Sequence, residues 1–327
     1  MPAPPNSGGV LAAVRRLRPY IPVAPLYRSD SLSRGFDADV WLKVETASPI
    51  ASFKLRGALN TLLINREFGK IRTAVTSSTG NHGQGVAYAA RLLESPADIF
   101  LPDGANPVKQ AMIRMFGGRL HLGGRDIDEA KDRARLFCEQ NGGTFVDDGE
   151  SGSLIEGAGT IGDEIARELE SVDYVFVPMG SGSLASGVAI GLKAKQPSAR
   201  VIAVQSVGAP AMVESFRAGR PVERPCNTIG DAIVCRVPAE TALNALIQNL
   251  DDAALVTDRD LQSAMHTLLV WAHQLVEPGA AAGLAGAWQR RSILRGRRVV
   301  ILLTGANVPS EVVAQALLVP PLFNPAV

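Results

Sequence analysis

Apolar residues in this chain fall in short β-branched runs separated by longer helical stretches. The runs VWLKVE (40–45), RTAVTSS (72–78), ADIFLP (97–102), GRLHLGG (118–124), TFVDD (144–148), YVFVPM (174–179), RVIAVQS (200–206), AALVTD (253–258) and RRVVILLTG (297–305) read as strands. Helices between nearly all of them make βαβ units on a parallel sheet, so the fold class is α/β. No internal repeat is present, and the one biased segment is the proline- and glycine-rich arm MPAPPNSGGV. That arm lacks a charged region followed by a long apolar one, and no run approaches the roughly 18 apolar residues of a spanning helix. The expectation is a soluble, cytoplasmic protein.

Two of these strands run straight into a small-residue turn and a helix: TSSTGNHGQGVAYAARL from position 76 and VPMGSGSLASGVAIGLKA from position 177. Unpaired amides and the positive end of the helix dipole make each a candidate anion site. The second, GSGSLA, could be a variant dinucleotide fingerprint, which requires an acidic residue about 20 positions on, at the end of the next strand. RVIAVQS ends instead in Gln205 and Ser206. What is left is a loop, Gly180, Ser181, Gly182 and Ser183, whose amides and two hydroxyls suit one phosphate monoester, and which taken alone reads equally well as a structural turn. In the first turn, Ser77 to Gly83 bring three hydroxyls, an amide and an imidazole to one corner. One Ser or Asn would suffice for a helix cap, so a second anion pocket is the better account. His82 alone means little, since most histidines are structural.

Composition narrows the partners. At 327 residues, 46% hydrophobic and 20% charged, the chain can bury a large core and exceeds the usual single domain, which predicts two lobes. A net charge of +1 supplies no field to gather nucleic acid or an acidic membrane. Cys138, Cys226 and Cys235 are odd in number, far apart and without a CxxC pair, against a disulfide framework or a zinc site; they read as small buried hydrophobes.

Within ASFKLRGALN (51–60), Lys54 stands between Phe53 and a helix start. Alone it reads as a solvated lysine. A lysine beside an aromatic ring, a cradle for one phosphate and a second for a carboxylate together match what a pyridoxal phosphate enzyme acting on amino acids needs. At these residues the chain resembles a known family. Ser52 to Ala58 is similar to the S-F-K-x-R-G-A segment of the serine and threonine dehydratases and serine racemases, the fold type II pyridoxal phosphate enzymes. In register follow Ser78-Thr79-Gly80-Asn81-His82 for S-x-G-N-H, Gly157-Ala158-Gly159-Thr160 for G-Q-G-T, Gly180 to Leu184 for G-G-G-G-L, then Glu277-Pro278 and Thr304-Gly305-Ala306-Asn307.

The resemblance implies a two-lobed, three-layer α/β/α fold with mostly parallel sheets: a large cofactor-binding domain of residues 1–69 and 149–327, and a small inserted one of 70–148. It implies that Lys54 carries pyridoxal 5'-phosphate on its ε-amine and, once displaced by substrate, removes the α-proton. Phe53, Asn81, Gly180, Ser181, Gly182, Ser183, Leu184, Glu277 and Thr304 would bind the cofactor, Asn81 at the ring hydroxyl and Thr304 at the pyridine nitrogen. Ser78, Thr79, Gly80, Asn81 and His82 would hold the substrate carboxylate. The implied reaction converts a β-hydroxy amino acid of the threonine, serine or 3-phenylserine type to a 2-oxo acid and ammonia. Alternatives are an amino acid racemase, a β-replacement enzyme of the cysteine synthase type and a non-catalytic pyridoxal phosphate binder. The family also implies a homodimer.

Some positions depart from the family or have a plainer reading. Glu277 could simply cap the helix that Pro278 opens. Arg56 reads as a surface or packing residue. Where metal-activated members carry E-x-x-x-A-x-D, this chain has Gln205, Ala209 and Ala211, which predicts no divalent metal there. Thr79 stands where racemases carry a proton-donating serine; its hydroxyl could serve as a second catalytic group, held more stiffly by its β-branch.

Overall fold

Ten strands among the described residues sort into two sheets. The computed structural model describes residues 4–67, 69, 72–78, 80–105, 107–125 and 127–324. The strands are β1 (Leu26–Arg28), β2 (Asp39–Val44), β3 (Ala74–Ser77), β4 (Ala97–Leu101), β5 (Gly118–Leu122), β6 (Thr144–Phe145), β7 (Tyr174–Pro178), β8 (Arg200–Ser206), β9 (Asp252–Val256) and β10 (Arg298–Leu303). Six form a sheet in the order β1-β2-β10-β7-β8-β9, parallel except at the β1 edge; four form a parallel sheet in the order β5-β4-β3-β6. The nine expected strands are all present, most trimmed at their ends. β1 was not anticipated: three residues at a sheet edge are too short for an alternation to register.

Side-chain alternation along β10 explains the layering of the larger sheet. Val299, Ile301 and Leu303 enter one core with the helices Asp258–Trp271 and Pro278–Gln289, whereas Val300 and Leu302 enter another with Gly152–Glu168 and Ser183–Lys193. Both faces are covered, so the strand is a continuous apolar run. The smaller sheet repeats the scheme. Ala74, Ile99 and Leu101 pack with the helices Lys54–Glu67, Asn81–Leu92 and Pro107–Met115, while Val75 and Phe100 pack with Ile127–Asn141. The helix Lys54–Glu67 lies against both Asn81–Leu92 and Gly152–Glu168, and so joins the two bodies.

A buried ion cluster fixes that helix. Arg56 is 3% exposed and forks between Glu45, at 2.7 and 3.0 Å, and Glu164, at 2.6 and 2.9 Å, with a further bond to Thr160 Oγ1 at 2.9 Å. Lys43, fully buried, meets Glu164 at 2.7 Å and the carbonyl of Ala24 at 2.7 Å. This corrects the reading of Arg56 as a surface or helix-packing side chain: two carboxylates distant in sequence make its burial tolerable. It also gives Thr160 of the Gly157–Thr160 segment a structural partner. The cysteine reading is corrected as well, since Cys226 is exposed and Cys138 and Cys235 are only half-buried. Burial still pushes the Cys138 thiol up to about 11 and that of Cys235 up to about 12, which leaves neither as a thiolate near neutral pH. Among the described residues no helix is long and apolar enough to cross a membrane.

Removing the guanidinium leaves two carboxylates facing each other out of water. Arg56→Ala is expected to lose about 3–5 kcal/mol in urea denaturation, and Arg56→Lys to recover little of it, because one ammonium cannot fork between two carboxylates.

Candidate active site

Lys54 is set in place by the backbone before it. Ser52 pairs with Gly305 across an isolated antiparallel bridge, Phe53 N–H donates to the Thr304 carbonyl at 3.1 Å, and Ala306 N–H donates to Ala51 at 2.9 Å. The segment ahead of Lys54 is therefore tied to the chain leaving β10. Lys54 opens its helix, and its Nζ lies 5.1 Å from the centroid of the Phe53 ring, a cation–π contact. The same Nζ donates to Asp148 Oδ2 in an ion pair.

Asp148 reaches the lysine from the smaller sheet. Val146 N–H donates to Val75 at 2.8 Å, carrying the β6 ladder one residue further, and its carbonyl accepts from Thr76 Oγ1 at 2.8 Å. Asp147 then pairs with Lys131 at 2.9 Å and Arg135 at 3.3 Å, on the helix Ile127–Asn141, while Asp148 turns to Lys54. Its other oxygen lies 3.5 Å from the Ser181 hydroxyl. Burial alone would raise the Asp148 carboxyl, but the Lys54 and His82 charges and the hydrogen bonds from Lys54 and Ser181 hold it down at about 2.

His82 is 4% exposed, with Nε2 3.0 Å from the Val146 carbonyl. A carbonyl only accepts, so Nε2 carries the proton and Nδ1 is left as an acceptor, buried and without a partner among the described residues. Burial, aided by the Lys54 charge, pulls the imidazole below its usual value against the pull of Asp148.

Asn81 links two loops. Its amide donates to Glu277 Oε1 at 2.7 Å, and its Oδ1 accepts from Asn307 at 2.7 Å; Asn307 also donates to the Ile50 carbonyl at 2.9 Å. Glu277 is 4% exposed; burial and the nearby Asp231 push its carboxyl up to about 8, against the Asn81 hydrogen bond and the charges of Lys109 and Lys54. Its side chain makes no cap bond to the helix Pro278–Gln289, which corrects the simple capping reading. Gly305 is required beside it: a Cβ there would lie 2.1 Å from Glu277 Oε1. Thr304 is 5% exposed, and Lys109 forms an ion pair with Asp231 between the smaller and larger sheets' helices.

The turn after β7 has the shape expected of a phosphate cradle. Gly182, at φ +92°, sits where a Cβ would come 2.6 Å from Leu246 Cδ1, and it leads into the helix Ser183–Lys193 with no side-chain cap. The first-turn amides thus stay unpaired within the helix. Ser181 Oγ lies 3.4 Å from Ser183 Oγ. The Leu184 side chain is in the core, so it offers this loop only its amide. At the other corner, the Ser78 hydroxyl accepts from Gly80 N–H at 3.2 Å, and the helix Asn81–Leu92 also starts without a side-chain cap. The side chains of Asn81 and His82 point elsewhere, so these residues can offer a carboxylate their amides. Thr79 lies outside the described residues. Gln205 accepts from Val213 N–H at 3.1 Å and donates to the Ile233 carbonyl at 3.4 Å, and Ala209 and Ala211 are buried.

Uncapped loops at two helix starts, the unpartnered His82 Nδ1 and the Lys54 amine are chemically suited to a phosphate-bearing aldehyde. Sequence reasoning singled out Lys54, Phe53, Asn81, His82, Ser181, Glu277 and Thr304, which the fold brings together; it named Asn307 in a motif without giving it a role and missed Asp148. A carboxylate at the carboxyl end of a parallel strand was the available signal for Asp148.

The family described as pyridoxal-phosphate dependent enzyme matches residues 17–305. The chain is 34% identical over 299 residues to an L-threonine ammonia-lyase of Thermotoga maritima, covering 90% of this chain and 74% of that one. It is 30% identical over 305 residues to an L-threo-3-hydroxyaspartate ammonia-lyase of Saccharomyces cerevisiae, covering 93% and 94%. The solved structure of maize serine racemase superposes with a TM-score of 0.90 at 27% identity, covering 97% and 98%.

The raised Glu277 carboxyl carries a stability signature. Folding holds its proton while the unfolded chain releases it near the ordinary value, so stability falls as pH rises from about 4.5 to about 8. Unfolding free energies from urea titrations at pH 5, 6.5 and 8 are expected to decline less steeply in Glu277→Gln than in the parent, by on the order of 1 kcal/mol per pH unit.

Proposed function

The chain belongs to the family of pyridoxal-phosphate dependent enzymes, and from that premise we propose that it is an ammonia-lyase that converts a β-hydroxy amino acid to a 2-oxo acid and ammonia by α,β-elimination. The observation that supports this is the Lys54 amine held against Asp148, whose other oxygen faces Ser181 ahead of an uncapped helix start. Bound there, pyridoxal phosphate supplies an electron sink that acidifies the α-hydrogen of an attached amino acid.

The rest of the chemistry belongs to the chain. Lys54 holds the cofactor through its ε-amine and, once substrate has displaced it, takes the α-proton. The amides of Gly180, Ser181, Gly182, Ser183 and Leu184, with the two serine hydroxyls, hold the phosphate. Phe53 flanks the cofactor, Asn81 meets the ring hydroxyl, and Glu277 fixes Asn81. Thr304 offers the ring nitrogen a hydroxyl in place of a carboxylate, which suits prompt loss of a β-substituent. Ser78, Thr79, Gly80, Asn81 and His82 receive the substrate carboxylate; the Thr79 hydroxyl is the second catalytic group. On the same reading residues 70–148 form a small domain inserted into a large one of 1–69 and 149–327, no divalent metal is needed at Gln205, and the enzyme works as a cytoplasmic homodimer.

Similarity to a serine racemase favours a second activity of the same cleft, which would place deuterium at Cα of recovered substrate with inversion. The primary test is a panel of L-serine, L-threonine, 3-phenylserine and L-threo-3-hydroxyaspartate scored by release of 2-oxo acid, with borohydride trapping and peptide mass mapping of the cofactor. The label is expected on Lys54, and Lys54→Ala is expected to lose about 10⁴-fold in kcat, the upper end for a positioned base. A label at another lysine, or no 2-oxo acid from any of the four, overturns the proposal.

A further inference from the structure

The Lys54 side chain ends on the Asp148 carboxylate, and attaching a cofactor to that amine takes the cation away from it. Among the described residues Lys54 is the one ion-pair partner of Asp148. The cations nearby are committed elsewhere: Lys131 and Arg135 pair with Asp147, and Lys109 pairs with Asp231. The second Asp148 oxygen faces only the Ser181 hydroxyl, at 3.5 Å. Against burial, the Lys54 charge leads the attractions that hold this carboxyl ionised, at about 2. A carboxylate kept in this way is a seat for an ammonium. His82 adds a second acceptor, since its Nδ1 is buried and unpartnered among the described residues, with the ring proton on Nε2. Its ring lies within electrostatic reach of Asp148. A group with several N–H donors suits both acceptors, whereas a second carboxylate suits neither and would be buried there without a cation.

Resting on the ammonia-lyase reading, we propose a further activity of this site: elimination of ammonia from 2,3-diaminopropionate, with Asp148 as the residue that selects the β-ammonium. A substrate that displaces Lys54 brings its α-nitrogen to the place of Nζ, against Asp148, and its β-nitrogen is only three bonds further on. Paired there, the β-ammonium restores the ion pair that the cofactor removed. Lys54 takes the α-proton, the Cα–H electron pair becomes the new Cα–Cβ π bond, and the Cβ–N pair leaves with nitrogen. That nitrogen arrives with its third proton already in place, so it departs as neutral ammonia and needs no acid. Water hydrolyses the released enamine to pyruvate and a second ammonia, and nothing is oxidised or reduced overall. The positive charge passes from the β-nitrogen to Lys54. Asp148 therefore faces a cation throughout and gives up or takes up no proton.

Stoichiometry and binding test the assignment. The cofactor-loaded parent is expected to release two ammonia per pyruvate from L-2,3-diaminopropionate, against one per 2-oxo acid from a β-hydroxy amino acid. L-2,4-Diaminobutyrate has no β-leaving group, and calorimetry is expected to show it binding the loaded parent about tenfold or more tightly than its uncharged isostere L-norvaline. Both comparisons stand even where a variant fails to fold. In Asp148→Asn, kcat/KM for diaminopropionate relative to the best β-hydroxy substrate is expected to fall about 30-fold or more, and the binding advantage of diaminobutyrate to disappear. Asp148→Glu, which keeps the charge, should retain part of each preference. No pyruvate from diaminopropionate in an enzyme that deaminates a β-hydroxy amino acid, no advantage of diaminobutyrate over norvaline, or unchanged preferences in Asp148→Asn overturn the proposal. Turnover of diaminopropionate and of no β-hydroxy amino acid instead overturns the β-hydroxy reading and upholds the role of Asp148.

Discussion

The short antiparallel contact between residues 51–53 and the chain leaving β10 is the constraint on which the site depends. Three backbone links, Ser52 with Gly305, Phe53 N–H to Thr304 and Ala306 N–H to Ala51, fix where the helix Lys54–Glu67 begins. A lysine at the first position of a helix has a side chain free of the preceding turn, and here that side chain meets Asp148, which follows β6 of the smaller sheet. Were this link to slip, Lys54 would lose its register with Asn81 and Asp148 together, because they come from the smaller sheet's loops while Thr304 and Ser181 come from the larger. The Arg56 cluster serves the same end two residues later, anchoring the helix to Glu45 and Glu164 from outside the site.

Two carboxyl groups near the cleft illustrate how environment decides protonation. Glu277 is buried beside Asp231 with an amide as its direct partner, and its carboxyl rises to about 8. Asp148 is also removed from water, yet a lysine in contact holds it at about 2. Asp147, one residue away, turns instead to Lys131 and Arg135. The contrast follows from what each one touches, since burial pushes every carboxyl up and only a close cation reverses it.

Much of this was legible in the sequence. Strands buried on both faces announce themselves as apolar runs, as β7, β8 and β10 do, and small-residue turns after strands marked the two helix starts that lack a side-chain cap. The misses share a cause: they depend on partners distant in the chain. Arg56 looks like a surface cation until Glu45 and Glu164 are brought to it across 11 and 108 positions. Asp148 lies inside a segment that reads as strand, and nothing local says that the pairing ends at Val146, leaving the second aspartate free to turn toward a lysine 94 residues earlier. The cysteines were read from residue type alone, whereas Cys226 lies in an irregular, largely exposed segment between helices.

The Lys54–Asp148 contact also bears on how the site tolerates charge. An ammonium and a carboxylate taken out of water together cost less than either alone, and removing one leaves the other uncompensated. Attaching a cofactor to the amine changes one member of that pair, so the carboxylate must find a new donor or take up a proton. The Ser181 hydroxyl at 3.5 Å is too long and too weak a donor to replace an ammonium. A proton is then the simplest compensation, since burial favours the neutral form of a carboxyl that has lost its cation.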